Sequence, residues 1–159
     1  MQSFISRLIQ AFILTFVMLV PAANIFAENN SPVGYWVVVD QATHKPSSVV
    51  RIQEENGALQ GKVVKLIPQK GVQPNPECTQ CEGDLKNKPL MGMTVLWDVN
   101  QQNGGWNAKL LTPKTGKVYD AELKLIDGGS KLQINVKAGF VSRTLSWHRI
   151  NPQERENRQ

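Results

Sequence analysis

From Val33 to Arg149, apolar and polar residues alternate between turn signals, and no stretch holds a 3.6-residue apolar period long enough for a helix. That alternation constrains the chain more than any other feature. Side chains of a strand project to opposite faces, so a strand with one buried face must alternate in this way. The pattern is clearest at 117–126, where Tyr119, Ala121, Leu123 and Leu125 fall on one face and Val118, Asp120, Glu122 and Lys124 on the other. It recurs in the next segment: Leu132, Ile134 and Val136 point in, while Lys131, Gln133, Asn135 and Lys137 point out. This part of the chain reads as all-β.

Strands are predicted at 33–40, 48–54, 59–66, 90–99, 106–111 and 117–126, with a seventh carrying Leu132, Ile134 and Val136 and an eighth at 142–149. The most secure pairing joins the second and third strands. Between them lies Asn56-Gly57, the dipeptide best suited to the positive φ angles of a two-residue hairpin turn. Turns at 100–105, 112–116 and 127–129 connect later strands. Eight antiparallel strands with tight turns suggest an up-and-down barrel, which removes the exposed edges of an open sheet. A two-sheet sandwich is the alternative.

The first 27 residues read as a cleaved signal peptide: Arg7, a short apolar run from Leu8 to Val20, and small Ala27 ahead of Glu28. The run is shorter than the roughly 20 residues that cross a bilayer. An exported protein, periplasmic or secreted, is expected, with a barrel domain over 28–150, a flexible tail over 151–159 and no membrane span after cleavage. The formal charge of +5 loses one cation with the leader, and the remaining cations are mixed with acids. No basic stripe with interleaved aromatics is present, so nucleic-acid binding is not expected.

One connection, 67–88, is much longer than the others and carries Pro68, Pro74, Pro76 and the pair Cys78-Thr79-Gln80-Cys81. In an exported chain two cysteines this close form a structural disulfide. A thioredoxin-like reading requires a helix after the first Cys, and the Pro-rich flank supplies none. A zinc site needs further ligands, and the only histidines are His44 and His148. His44 falls in a turn, and His148 alternates to the solvent side of its strand. No metal or cofactor is expected.

No nucleophile elbow is present, and Thr115-Gly116-Lys117 lacks the upstream Gly of a phosphate loop. Asp84, Asp98 and Asp120 beside Tyr119 are the available acids or bases, but no two are paired by spacing. The chain is therefore read as non-enzymatic. A different signal links its ends: Gly34 and Trp36 open the first strand, and Arg143, Trp147 and Arg149 lie on the last. In a closed barrel these strands are neighbours, so an arginine over the face of Trp36 would seal one end by cation–π contact and hydrogen bonds to carbonyls. Gly34 permits the close approach.

Seven blocks occur in order: Gly34-Tyr35-Trp36, Val50-Arg51-Ile52, Asn56 to Lys62, Cys78 to Cys81, Lys88 to Gly92, Pro113 to Tyr119, and Arg143 to Arg149. Together they resemble the exported bacterial family called domain of unknown function 2147 (DUF2147). The resemblance spans 33–149 and implies a lipocalin-like, or calycin, barrel without an established activity. Unlike ordinary lipocalins, this chain places its long loop between the third and fourth strands and has no helix before the last.

Eight-stranded barrels can enclose a small molecule. The expected function is binding of a small hydrophobic or amphipathic ligand, with Trp36, Met93, Trp97, Tyr119 and Leu123 as candidate contacts. Met91 and Val95 on the same strand, with Leu110 and Leu132, complete the apolar set. Cys78, Cys81, Gly34 and Arg149 are assigned structural roles. The alternative is an envelope protein-interaction module that uses the stapled 67–88 loop, its protein partner unknown.

Overall fold

The computed structural model describes residues 30–150 except 72 and 75. The expected signal peptide (1–27) and tail (151–159) lie outside the described residues. Eight strands follow in order: β1 Gly34–Val39, β2 Pro46–Glu55, β3 Ala58–Leu66, β4 Thr94–Gln102, β5 Gly105–Thr112, β6 Lys117–Ile126, β7 Lys131–Ala138 and β8 Val141–Arg149. Each pairs antiparallel with the next, and β8 returns to β1 to close a barrel. The up-and-down barrel is therefore the fold, and the sandwich is not formed.

Local chemistry explains the pairings. Asn56 and Gly57 take φ of 54° and 78°, and the hairpin they close sets Glu55 opposite Ala58. On β6 the expected inner face is confirmed: Ala121 and Leu123 are buried, whereas Val118 is 48% exposed. Leu132, Ile134 and Val136 of β7 continue that face across the sheet. Pro46 opens β2, a position where its missing N–H costs no ladder bond.

β4 departs from the simple alternation. It starts at Thr94 rather than Leu90, because residues 90–93 fold back in a turn: Met93 N–H donates to the Leu90 carbonyl and Gly92 N–H to that of Val63. Asp98 has φ of 52°, and the register with β5 shifts between Trp97 and Asn100. Such an irregularity breaks the period of two. A further shift, against β3, sets Leu96 opposite Gly61 and Thr94 opposite Lys62, so the adjacent residues Val95 and Leu96 are both buried; Met91, in the 90–93 turn, is 46% exposed.

The long connection is anchored rather than free. Cys78 and Cys81 form a disulfide with Cα atoms 5.3 Å apart, and both residues are buried in the core cluster. Backbone bonds from Cys78 N–H to the Lys88 carbonyl and from Asn87 N–H to that of Cys78 tie the stapled segment to itself. Leu90 N–H donates to the Pro76 carbonyl and completes the small lobe. The lobe leans on the β5–β6 turn: Gly116 has φ of 68°, and a Cβ there would overlap the carbonyl oxygen of Gln80. Only glycine fits both the angle and the gap.

Candidate functional site

The two ends of the barrel differ. At one end Trp36 is fully buried, and its Nε1–H donates to the Pro32 carbonyl at 2.8 Å. The Arg149 guanidinium lies over the Trp36 ring, 4.2 Å from its centroid. Its Nε donates to the Gly129 carbonyl, one Nη to that of Val33 and the other to that of Ser31, each at 2.7 Å. A Cβ on Gly34 would sit 2.7 Å from the Arg149 guanidinium, so a side chain there would displace it. Partial burial lowers the pKa of Arg149 from its ordinary value. None of its three carbonyl partners carries a charge; the cation is held by dipoles and a π face. This end is sealed.

The opposite end opens into a cavity of about 1010 Å³. That is at the upper edge of the range for small-molecule sites, about 300–1,000 Å³. Its wall is mostly apolar, with Val50, Val63, Leu110, Val136, Leu145 and Trp147 among its residues. The β1–β2 turn at Asp40, the β5–β6 turn at Lys114 and β8 at Arg143 form its polar rim. Asp40 organises that rim. One carboxylate oxygen accepts from Ala42 N–H, Thr43 N–H and the Thr43 hydroxyl, and the other lies 3.5 Å from Lys114 Nζ. The hydrogen bonds from Thr43, then the Lys114 charge, hold its pKa below the ordinary carboxylate value.

Of the five candidate contacts, only Tyr119 borders the cavity. Trp36, Met93 and Leu123 are buried in the packed core and do not line it. Trp97 is on the outer wall. The register places it opposite Lys109, which pairs with Asp120 on the solvent side. Even alternation along β4 places Trp97 inside, but an extra residue between Thr94, opposite Lys62, and Leu96, opposite Gly61, breaks that alternation and turns Leu96 inward toward Gly61 and Leu110 instead. Asp120 is paired with Lys109 at 2.6 Å, on the outer wall rather than in the cavity.

The cavity also uses residues that the sequence reading passed over. Val141, Arg143, Leu145 and Trp147 alternate along β8 and all line it. Their period of two was visible, but Arg143 within the series obscured the face as an apolar one. His44 and His148 are exposed, as expected. Among the described residues no group of three His, Cys, Asp or Glu side chains is placed to hold a metal ion.

Comparison with solved structures gives protein HP1028 from the human pathogen Helicobacter pylori, reported to belong to the lipocalin family. The two chains are 20% identical, with a TM-score of 0.66 over 80% of this chain and 88% of that one. At that identity the likeness establishes the fold. No curated protein matches the sequence. A family model described as "Uncharacterized protein conserved in bacteria" matches residues 34–149, the whole run from β1 to β8. By that match, the chain belongs to the DUF2147 family.

Proposed function

We propose that this protein is an exported carrier or sensor that binds a small hydrophobic or amphipathic molecule in its barrel and catalyses no reaction on it. One observation carries the reading: a cavity of about 1010 Å³ with an apolar wall, sealed at the Trp36 end and open at the other. A barrel filled by its own side chains has no such space. Apolar wall contributes roughly 25 cal/mol per Å² of ligand surface removed from water, enough for micromolar binding of a chain-like molecule. Export is supported by the leader-like segment 1–27 and by the Cys78–Cys81 disulfide, a bond favoured in oxidising compartments.

The alternative, a docking module built on the stapled loop, is not favoured. That loop is committed to its own chain through the buried disulfide and the contact at Gly116.

Native mass spectrometry of protein isolated from its own host tests the binding reading. A bound mass released on unfolding is expected. Absence of any such mass, together with no uptake of a neutral naphthylamine probe, overturns it. An intact mass beginning at Glu28 in the periplasmic or culture fraction would establish export.

A further inference from the structure

The inner face of β8 carries two arginines in contrasting situations. Pairing of Ala138 with Val141, Val136 with Arg143, Ile134 with Leu145 and Leu132 with Trp147 places the odd-numbered residues of β8 on the barrel's inner side. Arg149, at the sealed end, spends its donors on three carbonyls and its face on Trp36. Arg143 lies six residues nearer the mouth, roughly 20 Å along the strand. It lines the cavity, and no hydrogen bond or ion pair joins it to another of the described residues.

Among the described residues the one acid on the rim is already engaged. Asp40 accepts three hydrogen bonds from its own turn and pairs with Lys114. Among the described residues the rim therefore holds two cations, Lys114 and Arg143, against one carboxylate. Arginine stays ionised at every physiological pH and presents a planar fork matched to carboxylate and phosphate oxygens. Here that fork stands at the boundary between apolar wall and water, where the head of any amphiphile whose chain fills the barrel must lie.

We propose that the molecule held in the barrel is an amphipathic anion, its alkyl chain in the cavity and its carboxylate or phosphate head paired with Arg143. This rests on the binding function proposed above and specifies its ligand class.

The test is displacement of a neutral fluorescent probe from the purified protein by dodecanoate, dodecyl phosphate and dodecanol, the anions below their micelle concentrations and the alcohol below its solubility limit. At least one anion is expected to compete about tenfold better than the alcohol, the gain expected of a charge-assisted hydrogen bond at a half-solvated site. Arg143→Gln should abolish that preference and leave dodecanol within about twofold of its original affinity, and Arg143→Lys should restore part of it. The stronger of the two anions separates a free fatty acid from a phospholipid-type head. If dodecanol competes as well as both anions, or Arg143→Gln weakens all three alike, the anion proposal fails while binding in the barrel stands. If the probe binds and nothing alkyl displaces it, the proposal also fails. If neither probe nor alkyl compound binds, both readings fail together. Because Arg143 has no partner among the described residues, the thermal midpoint is expected to stay unchanged, which confirms that the variants are folded.

Discussion

Replacing Arg149 by methionine removes the seal while keeping much of the side-chain volume. The bond to the Gly129 carbonyl is partly buried; those to Val33 and Ser31 are exposed, so their oxygens recover water when the donor is lost. A hydrogen bond from a charged donor contributes about 1.5–3 kcal/mol when desolvated, and an exposed one about 0.5 kcal/mol. Contact with the Trp36 face adds about 1 kcal/mol. The expected loss is about 3.5–5 kcal/mol, a large share of the stability of a small domain. Arg149→Lys keeps the charge but loses the fork, and should cost roughly half as much as Arg149→Met. Urea unfolding followed by tryptophan fluorescence measures both, with the change in midpoint at constant slope giving the difference. A cycle with Trp36→Leu isolates the ring contact, for which a coupling of about 0.5–2 kcal/mol is expected. If Arg149→Met costs less than about 1 kcal/mol, or the cycle shows no coupling, the sealed-end account is wrong.

Three further outcomes follow from features of the fold. Gly116→Ala should destabilise by about 2–4 kcal/mol, since the new Cβ meets backbone that cannot move aside, and equal stability by calorimetry would refute that packing. Replacing Cys78 and Cys81 together by Ala should cost about 2 kcal/mol and raise amide exchange in 76–90 well above that in the strands; uniform exchange would show that the staple is not local. Asp40 has a folded pKa below its ordinary value, so its contribution is present above the unfolded pKa and is lost as pH falls through the lower folded one. Asp40→Asn should therefore flatten stability against pH in the acid range below about pH 4 and leave its slope near neutrality unchanged.

Much of the fold was legible in the sequence because strand alternation and turn chemistry are local. The Asn56-Gly57 turn fixes its own hairpin, and β6 and β7 advertise their inner faces residue by residue. The arginine across Trp36 was also legible, because closure makes the first and last strands neighbours. The cavity wall was harder to read. Inner residues of a barrel divide into those that pack together and those that border open space, and that division depends on strand tilt and register rather than on residue type. Trp36, Tyr119 and Leu123 look alike in sequence, yet only Tyr119 reaches the cavity. β4 hid a second difficulty: an extra residue between Thr94 and Leu96 in the pairing with β3 turns Leu96 inward and Trp97 outward, and no residue type in that stretch announces a bulge.

The arrangement at the sealed end also settles where the chain enters and leaves the barrel. Arg149 reaches back to Ser31 and Val33, and Ile150 N–H donates to the Tyr35 carbonyl, so the first and last described turns of chain meet on the face opposite the mouth. A partner or linker joined directly to residue 31 or 150 would therefore start from the end of the barrel opposite its opening. The same proximity makes the domain a ready candidate for circular permutation: a short linker from Ile150 to Ser31 could join the old ends, with new ones cut at the exposed Asn103-Gly104 turn. The β4–β5 turn lies at the same end of the barrel as the old ends, so a permuted barrel of that kind would keep its cavity and still leave the mouth clear.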